Sequence, residues 1–533
     1  CMDSGFNSLL FLSQAIGERL PADPIQIKVI SDHLQDVTGE EVLFPEKATI
    51  LGPCRVVPQE YPHIQCTSVD ITTPNGNAHR KKELNNLLIE ELFSETDDSI
   101  VAYRGKYRWV QTFEPLLLKK TEELNLNIRE RGVYLITGGL GGIGLVLAEY
   151  LAQTSKVNLT LVARSRLPER YEWEEWLKSH GNQDETSRKI RKIQAIEKLR
   201  SDVMIVSADV TDLAQMESAV SQTLDRFGQI NGVIHAAGIA GGGVIQIKTS
   251  KMAEDILAPK VKGTMVLDKL FKDVKLDYFV LCSSITSLLG EIGQVDYCAA
   301  NAFLDAYAQS CQSEKNVISI NWYTWQEVGM AVNTEVPLDL KKERQTSLKL
   351  GILPDEGKEA FNRILANPRS QVVVSTQNFK ALVKESKKTP MLDSAEKIKE
   401  ASLPSAAHER PDLSSAYVVP GNLTEQTIAK IWQELLKIDK VGIHDNFFEL
   451  GGHSLLATRA LSRLKSKFPF EFTMSDLFER PTIHSLSEMI LEINEGSPSF
   501  VDSRNRGQKR KERRMQRIRP RKRRKLSEGF ESI

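Results

Sequence analysis

A glycine-rich turn between an apolar strand and a helix constrains the fold of this chain more than any other feature. The apolar run Val133–Thr137 is followed by Gly138, Gly142 and Gly144, and a helical pattern begins at Leu145. Glycines allow a tight turn here and let the backbone approach a bound phosphate closely. A strand, a glycine turn and a helix in this order predict a dinucleotide-binding unit built on a doubly wound parallel sheet.

The residues after the second predicted strand indicate which dinucleotide is bound. Residues 159–163 are followed by Arg164 and Ser165 and not by an acidic residue. An arginine binds a 2′-phosphate through paired hydrogen bonds, which favours NADPH over NADH, although a solvated basic turn is the alternative. His235, at the end of the fourth strand, is interpreted as a hydrogen-bonded structural histidine. The other predicted cofactor contacts are Thr137, Gly138, Gly139, Leu140, Gly142, Ile143, Gly144, Asp209, Val210, Ala236, Ala237 and Gly238.

Four polar residues downstream of this turn form a candidate catalytic set. An apolar run ends at Ser284, and Tyr297 opens a helix thirteen positions later. Asn301 lies one helical turn beyond Tyr297, so the two side chains point the same way. Lys260 is expected on a helix that begins at about Ala258. Each residue alone has an ordinary structural explanation, and their occurrence together after the glycine turn favours catalysis.

A second glycine motif lies near the carboxyl terminus. Residues 445–456 read Asp-Asn-Phe-Phe-Glu-Leu-Gly-Gly-His-Ser-Leu-Leu, and a helical run begins at Ser454. A phosphate esterified to this serine would lie at the positive end of the helix dipole, where an anion is stabilised. The alternative is an ordinary serine N-cap.

The surroundings of Ser454 resemble an acyl or peptidyl carrier domain over residues 423–495. The resemblance includes a helix at residues 428–436 and the segment 477–483 that follows the serine. It implies a small all-α four-helix domain whose serine carries a 4′-phosphopantetheine arm with an acyl chain bound as a thioester. A separate phosphopantetheinyl transferase would attach the arm. His453 is more similar to peptidyl carriers and leaves the cargo open.

Most of residues 1–385 resemble the ketoreductase domain of modular polyketide synthases. The resemblance rests on the glycine turn, the catalytic set and the segment 102–109. It implies a degenerate, N-terminally truncated Rossmann-like structural subdomain at residues 1–130 and a catalytic Rossmann domain of the short-chain dehydrogenase type at residues 131–385. In this family the lysine precedes the serine and the asparagine follows the tyrosine, as they do here.

The resemblance also implies the role of each catalytic residue. Hydride transfer to a ketone builds negative charge on its oxygen, which Ser284 and Tyr297 would stabilise while Tyr297 acts as general acid. Lys260 would ease proton loss from the phenol, and Asn301 would hold a water that replaces the proton. The sequence thus predicts NADPH-dependent reduction of a carrier-bound β-ketoacyl thioester to a β-hydroxyacyl thioester.

Three other functions stay open at this stage: α-ketoacyl reduction in a peptide or hybrid synthase, a non-catalytic carrier and docking module, and a free-standing alcohol dehydrogenase. The alcohol configuration is also open. Residues 240–242 lack the Leu-Asp-Asp of one stereochemical class, and Leu289 stands where the other class has tryptophan. Residues 322–340, with Tyr323, Trp325 and Met330, are expected to close over the acyl chain.

Composition limits the rest of the interpretation. The chain has 533 residues, 41% hydrophobic and 26% charged, and it lacks an apolar run of the ~20 residues that span a membrane. Its six cysteines have no paired spacing, so neither a metal site nor a disulfide framework is expected, and the cysteines should be reduced and mostly buried. We therefore predict a cytoplasmic protein. The resemblance to polyketide synthases implies that it works with a ketosynthase and an acyltransferase located elsewhere.

Two segments are predicted to have no packed core. Residues 386–422 are rich in lysine, serine and proline and are expected to form a linker. Residues 496–533 form a basic tail, in which residues 504–525 contain fourteen Lys or Arg and one acidic residue. Such tails are usually disordered, and an acidic docking partner is the alternative. Nucleic acid is an improbable partner because no aromatic residues are interleaved for base stacking.

Overall fold

The computed structural model has two units, residues 1–404 and residues 405–533. Residues 388–409 of the predicted linker and the whole basic tail lie outside the described residues. The residues described are 3–19, 24–74, 76, 78–94, 96, 98–118, 128–311, 316–333, 348–387, 410–411, 413, 415–436, 438–450, 454–468, 472, 476–477 and 480–494.

The first unit begins with a small four-stranded sheet. Its strand order is β1-β2-β3-β4, with the first three strands parallel and β4 antiparallel to β3. Gly105, with a φ of 60°, makes the hairpin that joins β3 to β4. The elements are β1 Ile25–Asp32, β2 Ile64–Ile71, β3 Ile100–Arg104, β4 Tyr107–Val110, α1 Ser8–Arg19, α2 Leu51–Glu60 and α3 Ala78–Leu92.

A seven-stranded parallel sheet follows in the same unit. Its order is β11-β10-β9-β8-β5-β6-β7, which confirms the predicted doubly wound α/β fold. Helices cover both faces of such a sheet, and accordingly β5, β8 and β10 are buried at every position. The strands are β5 Val133–Thr137, β6 Asn158–Ala163, β7 Asp202–Ser207, β8 Gly232–His235, β9 Tyr278–Ser284, β10 Val317–Trp322 and β11 Gln371–Val374.

Helices connect these strands, and one of them differs from the expectation. The helix that carries Lys260 begins at Ser250, well before Ala258, because the Thr249 side chain caps it by accepting a hydrogen bond from the Met252 N–H. The helices are α4 Gly142–Thr154, α5 Trp173–Ser179, α6 Glu185–Lys198, α7 Leu213–Phe227, α8 Ser250–Leu270, α9 Thr286–Leu289, α10 Val295–Ser310, α11 Met330–Asn333, α12 Pro354–Ala366 and α13 Phe379–Ser386.

Small side chains allow the two parts of the first unit to pack closely. Helix α10 packs against β9 and β10 and also against α2. A Cβ atom at Gly52 of α2 would lie 2.4 Å from the carbonyl oxygen of Val295 and 2.7 Å from the Cβ of Ala299. The backbones of α2 and α10 are therefore nearly in contact. The part of the first unit that contains the four-stranded sheet and α1–α3, called here the smaller sheet unit, is thereby attached directly to the helix that carries the candidate tyrosine.

The second unit is a helical domain around a buried aromatic pair. The rings of Trp432 and Phe447 lie 4.9 Å apart at its centre. Its described helices are α14 Leu423–Leu436, α15 Ser454–Lys467 and α16 Ile483–Asn494.

The end of the predicted linker belongs to this second unit. Arg410 donates two hydrogen bonds, of 2.6 and 2.8 Å, to the buried carboxylate of Asp445, and the Ser415 hydroxyl donates a third. The N–H of Ile443 donates to the carbonyl oxygen of Val418. The assignment of residues 410–420 to the linker was therefore wrong. No sequence pattern indicates this packing, because the residues that bind this segment are distant from it in the chain.

Three expectations about the whole chain can be compared with the described residues. None of the helices there combines the length and apolarity needed to cross a bilayer. No cluster of three or more metal-binding side chains occurs in the same ranges. The described cysteines are free, and four of the five are buried, as expected: Cys54, Cys66, Cys282 and Cys298.

Candidate active site

A cleft of about 720 Å³ opens at the carboxyl ends of the parallel strands, where β5 and β8 are neighbours. The chain leaves these two strands in opposite directions across the sheet, and ligands bind at such switch points in doubly wound folds. Eleven of the predicted cofactor residues line the cleft: Thr137, Gly138, Gly142, Ile143, Gly144, Arg164, Asp209, Val210, Ala236, Ala237 and Gly238.

Three predicted cofactor residues lie outside the wall of the cleft. Gly139 packs on the next strand, since a Cβ there would lie 2.8 Å from the Cα of Leu161. Leu140 is buried in the hydrophobic core, and Ser165 is exposed to solvent beside the cleft. The glycine motif therefore has two functions, because part of it faces the cleft and part of it packs the turn onto the sheet.

The backbone of the motif accepts only glycine at its first and last glycine positions. Gly138 has a φ of 67°, and a Cβ there would lie 2.7 Å from the backbone of Ala236. A Cβ at Gly144 would lie 2.4 Å from the carbonyl oxygen of Gly138. The first turn of α4 consequently lies directly against the strand ends and lines the cleft, and a helix N-terminus at this place is suited to phosphate binding.

His235 lies beneath this turn and is saturated with hydrogen bonds. Its Nδ1 is 2.7 Å from the hydroxyl of Thr137, and its Nε2 is 3.1 Å from the carbonyl oxygen of Pro259. Burial lowers the pKa of His235 to about 3, so the ring is neutral. This arrangement supports the structural interpretation of His235.

Tyr297 lines the cleft from the first turn of α10. Desolvation raises the pKa of its phenol to about 12, while the nearby side chains of Asn301 and Ser284 lower it in part. The phenol is therefore protonated at neutral pH. It can donate a proton to a negatively charged oxygen in the cleft.

Ser284 ends β9 and lies on the same wall of the cleft. Its hydroxyl is 3.1 Å from the hydroxyl of Thr286, with which it forms a turn after the strand. The adjacent Ser283 is buried, and its hydroxyl donates to the carbonyl oxygen of Asn301. The two serines therefore differ in their surroundings, since Ser284 is only half-buried, whereas the buried hydroxyl of Ser283 also accepts a hydrogen bond from Asn321.

Lys260 and Asn301 lie behind Tyr297 and not in the wall of the cleft. The Lys260 ammonium donates a 2.7 Å hydrogen bond to the carbonyl oxygen of Cys282, and its nitrogen is 5.8 Å from the centre of the Tyr297 ring. The Asn301 amide donates to the backbone oxygen of Tyr297 at 2.7 Å. The four predicted residues thus come together, although burial outweighs the expected effect of Lys260 on the phenol pKa.

The expected substrate loop is only partly described, since residues 334–347 lie outside the described ranges. Tyr323 and Met330 line the cleft as predicted. Trp325 also contacts the cleft, but it is 2% exposed and packs against Gly357 of α12, where a Cβ would lie 2.1 Å from its ring. Trp325 therefore anchors the start of the loop in the core, and closure of this loop over the acyl chain stays a prediction.

Sequence reasoning missed several residues of the cleft. Gln294 lies one helical turn before Tyr297, and its amide is 3.4 Å from the carbonyl oxygen of Gly241. Gly290, Glu291 and Leu382 also line the wall. From the sequence, only Gln294 could have been predicted to line the cleft, because it lies three positions before Tyr297. The contribution of Leu382, from a helix near residue 380, depends on the tertiary fold.

Family models match both units of the chain. Residues 132–327 match the KR domain, and residues 426–490 match the phosphopantetheine attachment site. With its parallel sheet and its cleft, the first unit is a ketoreductase of the Rossmann type. The chain therefore has a ketoreductase domain followed by a phosphopantetheine carrier domain, in the order of a polyketide synthase module.

Two curated relatives of this chain are synthases. Polyketide synthase PksN of Bacillus subtilis (strain 168) is 27% identical over 500 residues, which is 90% of this chain and 8% of that protein. The 6-methylsalicylic acid synthase of Aspergillus terreus is 30% identical over 64% of this chain and 18% of its own length. The chain thus spans less than a fifth of the length of either relative.

Among solved structures, a ketoreductase domain from the bacillaene assembly line is similar to 72% of this chain and 84% of its own, with a TM-score of 0.58 and 26% identity. The first ketoreductase of the tylosin synthase has the same fold, with a TM-score of 0.57 and 23% identity over 74% of this chain and 80% of its own.

The predicted attachment serine begins a helix, as expected. Ser454 is the first residue of α15. Its side chain and the preceding Gly451, Gly452 and His453 lie outside the described residues. The predicted role of Ser454 consequently rests on the sequence motif and on the family match that includes it.

Proposed function

We propose that this chain reduces the ketone of a β-ketoacyl group carried as a thioester on a phosphopantetheine arm at Ser454. The product is the β-hydroxyacyl thioester. One observation carries the proposal. A protonated phenol, Tyr297, and the hydroxyl of Ser284 lie on one wall of the cleft that begins at the glycine turn.

The residues at the other end of the cleft fit NADPH. The N-terminus of α4, whose residues Gly142, Ile143 and Gly144 line the cleft, suits a pyrophosphate, and the exposed side chain of Arg164 is available to a 2′-phosphate. Asp209 is held by hydrogen bonds from Thr211 and limits the adenine side of the cleft. When bound there, NADPH would supply the hydride for the reduction.

Tyr297 and Ser284 supply the electrophilic assistance. As hydride adds to the carbonyl carbon, the C=O π electrons move onto the oxygen, which needs hydrogen-bond donors and then a proton. Both hydroxyl groups line the cleft, and the phenol gives up its proton to complete the alcohol. Its high pKa keeps the phenol loaded with the proton throughout the neutral range.

Lys260 and Asn301 supply the route by which the phenol regains a proton. The lysine ammonium lies behind the tyrosine ring, and burial lowers its pKa to about 8, so it releases a proton more readily than an exposed lysine. The Asn301 Oδ1 is buried and accepts no hydrogen bond from the described residues. It is the group we assign to hold a water in this relay.

The proposal includes partners that act before and after the reduction. A phosphopantetheinyl transferase must modify Ser454, and a ketosynthase and an acyltransferase must build the ketoacyl chain. We place the reaction in the cytoplasm, where coenzyme A and NADPH are both available. The basic residues 504–525 are offered as a docking segment for an acidic partner.

Intact-protein mass spectrometry tests this function directly. The arm on Ser454 is loaded enzymatically with a β-ketoacyl or an α-ketoacyl group, and NADPH is added. We expect the β-ketoacyl form to gain two hydrogen atoms. Faster reduction of the α-ketoacyl form would establish the alternative substrate, and reduction of neither form would refute the proposal.

Two variants on the same helix assign the reaction to the cleft. Tyr297→Phe should lower the rate by about 10²–10⁴, the usual contribution of a general acid. Tyr307→Phe is the matched control, because its hydroxyl binds Asp268 away from the cleft. Equal loss in both variants would mean that damage to α10, and not loss of the acid, lowers the rate.

A further inference from the structure

A buried cluster of charged residues lies directly behind the cleft and takes no part in the proposed chemistry. Lys248 and Asp296 form an ion pair of 2.7 Å, with side chains that are 1% and 0% exposed. Asp296 immediately precedes Tyr297 on α10. A buried ion pair contributes little net stability, so its placement beside the acid needs another explanation.

Lys248 also connects α10 to the loop after Gly238, which lines the cleft beside Tyr297. Its ammonium donates a hydrogen bond to the carbonyl oxygen of Gly242. This loop follows Gly238, and its Gly241 contacts the catalytic helix, where a Cβ would lie 2.8 Å from the Cβ of Tyr297. The lysine therefore links the residue before the acid to the loop packed on the acid.

A carboxylate from the smaller sheet unit completes the cluster. Glu60, the last residue of α2, accepts hydrogen bonds from the N–H of Ile245 at 2.6 Å and from the N–H of Gly293 at 2.9 Å. One of these groups belongs to the loop after Gly238, and the other belongs to the turn before α10. A single side chain thus holds both segments that border Tyr297.

Neighbouring hydrogen bonds reinforce the attachment of the same loops. Gln14 of α1 donates to the carbonyl oxygens of Ile245 and Lys248, at 2.7 Å each. Gln59 donates to the carbonyl oxygen of Leu289 at 2.7 Å. The smaller sheet unit contacts the cleft loops through these polar groups in addition to its apolar packing.

We propose that Glu60, Lys248 and Asp296 form a positioning cluster that holds Tyr297 and the loop after Gly238 in the geometry required for ketone reduction. This inference rests on the proposed function and extends it to residues that touch neither substrate nor cofactor. Misplacement of a reacting group by about 1 Å lowers a rate by about 10²-fold, so the cluster should act on kcat.

The cluster should also make the reaction sensitive to pH. Burial raises the pKa of Glu60 to about 7. The charged groups that face it among the described residues are Lys248 and Asp296, while α1 contributes the uncharged Gln14. Below pH 7 the protonated carboxyl carries a hydroxyl, and one of its two N–H partners loses an acceptor. We expect kcat to fall as the pH is lowered through about 7.

Isosteric variants test the cluster with little change in volume. In Glu60→Gln and Asp296→Asn we expect kcat to fall about tenfold or more, with KM for NADPH within about twofold of the wild type. Glu60→Gln should also lose the decline below pH 7, because it can no longer titrate. Glu60→Asp, which keeps the charge but shortens the side chain, should recover part of kcat.

Glu91→Gln is the matched control from the same sheet unit. Glu91 accepts hydrogen bonds from Tyr103 and Arg108 and contacts neither cleft loop. We expect this variant to retain kcat and the wild-type pH profile even if it lowers stability. A fall in kcat equal to that of Glu60→Gln would overturn the inference, since any lost carboxylate in this unit would then suffice.

Amide hydrogen exchange gives a readout that does not depend on activity. Exchange in peptides 239–249 and 289–297 should be faster in Glu60→Gln than in the wild type or in Glu91→Gln. Unchanged exchange, or a kcat within twofold of the wild type, would overturn the positioning role. If the wild type reduced no ketone, the proposed function would fail, and the exchange result would still decide whether the cluster holds the loops.

Discussion

The ammonium nitrogen of Lys260 lies 5.8 Å from the centre of the Tyr297 ring and donates a 2.7 Å hydrogen bond to the backbone of Cys282. The cation is therefore behind the phenol and outside the wall of the cleft. In this position it can return a proton to the tyrosine without competing for the substrate oxygen. The same burial that excludes it from the cleft lowers its own pKa to about 8.

This pKa predicts an upper limit to the active pH range. Lys260 is charged below pH 8, and it loses its proton as the pH rises through that value, so kcat should decline above about pH 8. Lys260→Met should have a lower kcat and no such decline. Lys262→Met, an exposed change on the same helix, should retain the wild-type profile. Steady-state rates measured between pH 6 and 10 would check this, and an unaltered decline in Lys260→Met would assign it to another group.

The glycine turn predicts a large effect of a single methyl group. In Gly138→Ala the residue keeps a positive φ and its Cβ meets the backbone of Ala236 at 2.7 Å, so NADPH affinity should fall more than tenfold. Gly228→Ala is the control, because Gly228 has a φ of 78° with no atom within 4 Å of the added Cβ. It should lose only about 1 kcal/mol of stability and keep its affinity. Fluorescence titration with NADPH would separate the two, and equal affinities would contradict the predicted role of the turn.

Arg164 predicts the choice between the two nicotinamide cofactors. It lines the cleft at the end of β6, whereas the nearby exposed Arg166 does not. Arg164→Ala should raise KM for NADPH about tenfold and leave KM for NADH nearly unchanged, since only NADPH has the 2′-phosphate. Arg166→Ala should alter neither value. If Arg164→Ala raised KM for NADPH and for NADH equally, the arginine would not be binding the 2′-phosphate.

His235 predicts a loss of stability in acid. Its folded pKa of about 3 is below the ordinary value of 6.5, so its contribution is fully present above pH 6.5 and is lost as the pH falls toward 3. The loss should reach roughly 2 kcal/mol at pH 5. Denaturant unfolding between pH 7 and 5 would measure it. His235→Gln should be less stable at pH 7 with a shallower dependence on pH, and the exposed His180→Gln should keep the wild-type slope.

The features that the sequence predicted correctly are local in the chain. A positive φ at Gly138 and the close approach at Gly144 belong to one continuous turn, so the residue types alone indicate them. The spacing of Tyr297 and Asn301 follows from the pitch of one helix. Apolar runs predicted β5, β6 and β9 of the larger sheet, because buried parallel strands are apolar on both faces.

Features that depend on contacts between distant segments were missed. Glu60 lies 185 positions before Ile245, and its carboxylate accepts a hydrogen bond from the Ile245 N–H. No pattern in the sequence indicates this contact. Arg410 appeared to be a linker residue because its partner, Asp445, is 35 positions away.

The sequence by itself determined the class of fold, the glycine turn and the identity of the candidate acid, because each depends on short-range geometry or on residue type. The tertiary structure alone decided how far the pKa of that acid rises and which residues position it. Desolvation and buried ion pairs are set by what packs around a group, and packing partners here come from three separate parts of the chain: α2, the loop after β8 and the start of α10.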